Sequence, residues 1–344
     1  MTDLKWMWPC LVVLACSDAT KDQSADGSPT DSGAPVDSGG TDSAADQRDC
    51  DPVDADPPDT REGHPADGWG WEKHGPLIED ATTVAASDGD LAPSLVDTGS
   101  ELVLLFARKR GTEQGLWVTT SADGVSWTAP EAVTGIEAGS IEYPSLVFAD
   151  GRFHLWHGSG SIAYAQSTDG RSYSPGETVL RAGEAGAFDG LSLLYPHAVV
   201  TATGVRLFYT GFDGARYTIG VTENGAPGEA FESGERLLQP DEDGWDNTSV
   251  GMPEVVVDSS GLEHFWYGGY DTVIANPGPW RIGRLDAETG ERQVVIPLSE
   301  SGVDAWSTRD PAVVPHGDGW LMVYVGMGDD GVYRLLRATS RVCN

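Results

Sequence analysis

Four acidic side chains recur at one fixed distance from a hydroxyl and from a proline. Asp189 with Ser192, Asp246 with Ser249 and Asp304 with Ser307 lie seven and four residues ahead of Pro196, Pro253 and Pro311, and Glu137 with Ser140 keeps the same spacing to Pro144. Short acidic and hydroxyl side chains accept hydrogen bonds from loop amides, so a device repeated in four places reads first as structural. Calcium binding is the competing chemistry, favoured by the run Asp241, Glu242, Asp243 and Asp246, because hard oxygen ligands suit that ion. The usual twelve-residue calcium loop is absent, and the expectation is no cofactor, with calcium the alternative. Catalytic Ser-His-Asp and Cys-His sets have no recognisable motif here, although neither has a fixed sequence spacing.

The elements that must position these residues are strands. Five times a proline opens a β-rich run ending in an aromatic and, in four of the five, a glycine: at Pro93, Pro144, Pro196, Pro253 and Pro311, separated by 51, 52, 57 and 58 residues. A period of that size with several strands in each repeat is how a β-propeller appears in sequence. Each repeat reads as four antiparallel strands, with the proline at the first position of the first strand, where no ladder donor is needed. Polar turns such as Ala149-Asp150-Gly151 then reverse the chain. The pattern Ser121-Ala122-Asp123-Gly124-Val125-Ser126-Trp127, repeated from Ser167 to Tyr173, reads as a turn followed by a packing aromatic. Helical periodicity is absent, so the fold class is all-β: a five-bladed propeller of four-stranded antiparallel blades over residues 68–344, preceded by a disordered tether.

Residues 1–15 carry Lys5 ahead of a short apolar core, and Val13-Leu14-Ala15-Cys16 looks like the lipobox of a bacterial lipoprotein signal, which would make Cys16 the lipidated N-terminus. The stretch is too short to span a bilayer and reads as a targeting segment; an ordinary secretory signal is the alternative. Residues 16–67 are rich in Asp, Ser, Ala, Gly and Pro, too poor in large apolar side chains to offset their ordering entropy. Of the formal charge of −33, about −11 lies in this tether and about −22 on the folded part. That acidity argues against nucleic acid or an anionic membrane surface as a partner, and against a polyanionic substrate. Membrane attachment is therefore expected only through the lipid anchor, on the outer membrane or cell surface. Cys50 and Cys343 are the leftover pair of an exported chain and read most simply as a disulfide. A monomer is the default.

Over residues 68–344 the sequence resembles the five-bladed glycoside hydrolase clan: the arabinanases and β-xylosidases of family 43, the invertases and levansucrases, and the mannoside phosphorylases. The resemblance is carried by the proline-led first strands, the Trp266-Tyr267-Gly268-Gly269 and Phe208-Tyr209-Thr210-Gly211 strand ends, the Ser121 to Trp127 turn and Arg309-Asp310-Pro311. It implies an oligo- or polysaccharide ligand, and a position before each proline at the mouth of a central channel. Glycosidic cleavage there needs two carboxyl groups, one protonated and one ionised, about 5–9.5 Å apart. In this chain the residue before the proline is Ala92, Tyr143, Tyr195, Met252 or Asp310, a carboxylate in one of five; the residue after it is Ser94, Ser145, His197, Glu254 or Ala312, on the same face by strand alternation. The resemblance thus implies a catalytic set of Asp310 as base, Glu254 as acid, and Glu142 or Asp90 as modulator. Asp310 closing the last blade, and Glu254 satisfying a loop amide, are the structural alternatives. His197, Arg309, Tyr143, Tyr195, Trp245 and Trp306 are candidate sugar contacts, with Trp280 beside them. The expectation is a carbohydrate-active propeller, either a hydrolase or a non-catalytic binding or protein-interaction module.

Overall fold

Apolar alternation between Asp/Gly turns dictates strands. The computed structural model describes residues 70–78, 85–136, 143–258, 260–271 and 279–341, and these hold twenty strands and no helix. Cys16, Cys50, Cys343, Glu142, the Glu137 and Ser140 pair, the signal and the tether up to residue 67 lie outside the described residues.

β1 (Glu72–Pro76) is followed by β2 (Gly89–Asp97), β3 (Leu102–Arg110), β4 (Glu113–Ser121) and the short β5 (Glu131–Ala132). Three four-stranded antiparallel sheets come next, each in chain order. They are β6 (Tyr143–Ala149), β7 (Arg152–Gly158), β8 (Ile162–Ser167) and β9 (Glu177–Leu180); then β10 (Ser192–Thr201), β11 (Gly204–Phe212), β12 (Tyr217–Asn224) and β13 (Glu235–Leu238); then β14 (Ser249–Val257), β15 (Glu263–Tyr270), β16 (Arg281–Leu285) and β17 (Arg292–Ile296). The chain ends in β18 (Ser307–His316), β19 (Gly319–Met327) and β20 (Tyr333–Arg341).

The last repeat supplies three strands of its own, and its fourth comes from the other end of the described chain: β1 pairs antiparallel with β20, Glu72 opposite Thr339. The four antiparallel strands of this repeat are therefore not contiguous in sequence. Lys73 secures the join, its Nζ reaching Pro297 O at 2.5 Å, Asp304 Oδ2 at 2.9 Å and Ser299 Oγ at 3.0 Å. One parallel pair, Gly89 with Tyr333, links β20 to β2, so that β1-β20-β19-β18 and β2-β3-β4-β5 form one eight-stranded sheet.

The proline position is corrected. β2, β10, β14 and β18 each begin four residues ahead of their proline, which therefore lies inside the strand. The ladder accommodates it with a register shift, between Leu91 and Ser94, Leu194 and His197, Gly251 and Glu254, and Arg309 and Ala312. At each bulge the residue before the proline turns left-handed: Ala92 at φ 50°, Tyr195 at 47°, Met252 at 57° and Asp310 at 52°. Non-glycine residues rarely adopt that conformation, and a following proline disfavours it further, so four repetitions mark a backbone held by its surroundings.

The core lies along the second strands. Phe106, Trp156, Phe208, Trp266 and Tyr324 are all fully buried, as expected of packing aromatics. The Ser-x-Asp-Gly turns are self-contained: Asp123 Oδ1 accepts from the amides of Val125 and Ser126 at 2.8 and 2.7 Å, and Asp169 repeats this toward Arg171 and Ser172.

Candidate functional site

The four bulges and Pro144 meet in one cavity, lined by Ala92, Ser94, Tyr195, His197, Met252, Glu254, Asp310 and the five prolines. Seven of the ten residues that flank the prolines line it, and Tyr143, Ser145 and Ala312 do not. The cavity is narrow: about 20 Å³ is open to the centre of a water molecule, room for a water or two and not for a sugar ring.

A cycle of hydrogen bonds closes around it. Leu146 N donates to Ser94 Oγ at 2.8 Å, and Ala198 N to Ser145 Oγ at 2.9 Å. His197 Nε2 donates to Val255 O at 2.8 Å, and Val313 N donates to Glu254 Oε1 at 2.8 Å. Each link joins the residue after one proline to the backbone two residues past the next proline. The fifth such residue is Ala312, which has no polar atom to offer, and Asp310 takes its place: Ala92 N donates to Asp310 Oδ2 at 3.1 Å, returning the cycle to β2.

These links engage the carboxylates expected to do chemistry. Asp310 is 3% exposed, with Oδ2 on Ala92 N and Oδ1 on Arg309 Nε at 2.9 Å. Glu254 is buried, its second oxygen 2.9 Å from His197 Nδ1. The nitrogens of His197 face a carboxylate and a backbone carbonyl, and the doubly protonated, positively charged ring can donate to both. Burial opposes that charge, but Glu254 and the hydrogen bonds to Glu254 and Val255 outweigh it and raise the imidazole pKa above its ordinary value. Asp90 is not among the cavity residues. It is 1% exposed and clasped by Arg108, at 2.8 and 3.0 Å, and by Arg110, at 3.1 and 2.5 Å.

Arg309 extends from β18 into a nest of rings. Its guanidinium lies 5.7 Å from the ring centroid of Tyr195 and 5.8 Å from those of Trp280 and Tyr333, and Nη2 donates to the Tyr195 hydroxyl. Tyr143 stacks on Tyr195 at 3.9 Å, Tyr217 lies 6.1 Å from Trp280, and Tyr270 lies 4.7 Å from Trp280. Burial holds the hydroxyls of Tyr143 and Tyr195 above their ordinary pKa, so both stay protonated. Tyr143, Tyr195, Tyr217, Tyr333 and Arg309 are partly exposed. Together they form a partly exposed aromatic mouth, joined to the cavity lining through Tyr195 and Asp310. Tyr217 and Tyr333 were not anticipated from sequence, although a signal exists: each is the first residue of a third strand, in two repeats.

Two expected sugar contacts lie elsewhere. Trp245 packs inside its own sheet, 5.5 Å from Tyr267, in space left by glycines: a Cβ on Gly283 would stand 2.2 Å from the indole. Trp306 is 40% exposed and in none of the ring contacts of the mouth. The repeated Asp device is structural, but its partners are tyrosine hydroxyls rather than loop amides: Tyr209 donates to Asp189 at 2.8 Å, Tyr267 to Asp246 at 2.8 Å and Tyr324 to Asp304 at 3.1 Å. Asp246 also pairs with Arg292 at 3.0 Å. No group of three or more potential metal ligands occurs among the described residues.

No family model matches the chain, and no curated protein matches it. Solved structures do. An α-L-arabinofuranosidase from Podospora anserina, in complex with cellotriose, is 13% identical, with a TM-score of 0.58 over 80% of this chain and 97% of that one. A study of the family 130 mannoside phosphorylases, describing glycoside hydrolases that target β-1,2-mannosidic linkages in Candida mannan, gives 14% identity and a TM-score of 0.60 over 79% and 94%. An exo-1,5-α-L-arabinanase from a bovine ruminal metagenomic library gives 9% and 0.55 over 75% and 95%. The fold is that of the β-propeller glycoside hydrolases. At these identities the likeness is one of fold.

Proposed function

We propose that this chain is an exported, lipid-anchored, five-bladed propeller that binds carbohydrate at its aromatic mouth and does not cleave it with Asp310 and Glu254. The observation that carries the reading is the engagement of those two carboxylates in hydrogen bonds of the fold, with Asp310 also holding Arg309 at the centre of a partly exposed cluster of rings. A general acid or base must be free to exchange a proton with substrate or water; here all four carboxylate oxygens hold the fold. Sugar C–H faces stack on aromatic rings, and the mouth offers the partly exposed Tyr217 and Tyr333. In the five-blade reading β1 is the outer strand of the blade built by β18, β19 and β20. Cys16 is the acylated residue, Cys50 and Cys343 pair as a disulfide, and the protein is a monomer at the outer membrane or cell surface.

The test is calorimetric titration of the chain with a panel of plant and fungal oligosaccharides, alongside an assay for new reducing ends. Binding is expected without hydrolysis, and Tyr217→Ala should weaken it by about tenfold, roughly 1.4 kcal/mol. Reducing ends released by the native chain and abolished in Asp310→Asn would make it a hydrolase. Failure of every sugar to bind would remove the carbohydrate reading. Mass spectrometry of the membrane-bound form tests acylation at Cys16.

A further inference from the structure

Stacking accounts for the rings of the mouth but not for the guanidinium at their centre. Arg309 uses Nε on Asp310 and Nη2 on Tyr195, while Nη1 makes no hydrogen bond among the described residues, and 16% of the side chain is exposed. Three rings and an ion pair thus hold a planar fork with one edge open. Such an edge matches a carboxylate in shape and charge, and its immobilisation is already complete before a ligand arrives.

The acid beside it points the same way: Asp310 has both oxygens engaged. Arg309 can only donate, so the group that meets it must accept.

We infer that the mouth recognises an acidic sugar, a uronate whose carboxylate takes the open edge of Arg309 while its C–H face lies against Tyr217 or Tyr333. This rests on the carbohydrate reading above and narrows it to a ligand class. The formal charge of −33 disfavours a long polyanion but not a single carboxylate. Charges farther away than about 8 Å are largely screened at physiological ionic strength, and the contact with Arg309 is a short-range one.

The experiment is calorimetric titration of the full chain with galacturonate, glucuronate and mannuronate disaccharides, each against its methyl ester and its neutral counterpart. The acid is expected to bind about tenfold or more tighter than its ester for at least one of the three. Arg309→Lys, which keeps the charge and loses the fork, should narrow the preference for acid over ester, and Arg309→Met, which loses both, should abolish it. The ester comparison needs no variant and so survives any misfolding of the substituted chain. Equal affinity for acid and ester, or preference for a neutral sugar, overturns the inference and leaves the carbohydrate reading standing. No binding by any sugar here or in the broader panel overturns both.

Discussion

Asp310, a residue that reads as chemistry in the sequence, carries architecture in the fold. Its carboxylate closes the hydrogen-bond cycle that Ala312 cannot close, and it holds Arg309 in the mouth. Asp310→Ala leaves a guanidinium beside a buried vacancy and an amide unsatisfied, so we expect a loss of about 3–5 kcal/mol, measured by urea denaturation. A loss below about 1 kcal/mol would mean the cycle is incidental. His197 carries the pH dependence. Its folded pKa lies above the unfolded value, so its contribution is complete below the ordinary histidine value near 6.5 and is lost as pH rises through the folded pKa. Melting temperature should therefore fall as pH climbs above neutrality, and the fall should shrink in His197→Gln. A slope of unchanged size in that variant would show that another group titrates.

At the scale of elements, β1 is the strand on which the last sheet depends. It is five residues long, pairs with β20 alone, and is pinned through Lys73 to Asp304. Deletion of residues 72–76 uncovers the edge of β20, and an exposed strand edge invites association. The truncated chain should melt lower and elute as aggregate in size-exclusion chromatography; a monomer of native stability would contradict the assignment. Lys73→Ala should weaken the join by about 1 kcal/mol, since the pair is only partly buried. Gly283 tests the packing inside the third four-stranded sheet. A methyl group there meets the Trp245 ring, so Gly283→Ala should cost about 1–3 kcal/mol and alter the near-ultraviolet circular dichroism.

For the molecule as a whole, the links run from β2 through β6, β10, β14 and β18 back to β2. Loss of one sheet therefore breaks the cycle for its neighbours. A single calorimetric endotherm is expected for the folded part, and two resolved transitions would show that the sheets melt independently. What the sequence determined by itself was local or periodic. The prolines at 51 to 58 residue spacing, the buried second-strand aromatics and the Ser-x-Asp-Gly turns were legible because strand alternation and turn chemistry act within a few residues. The resemblance to the propeller hydrolases followed from the same repeats, and the solved neighbours share that fold. The partners of the polar side chains were not legible. Asp310 meets Ala92 across 218 positions, Arg309 meets Tyr195 across 114, and β1 meets β20 across the whole described chain. Sequence showed which residues could carry charge to the axis. Only the tertiary structure decided that Asp310 and Glu254 end on backbone amides there, because a hydrogen-bond partner is fixed by proximity in space, and the circuit of sheets sets that proximity.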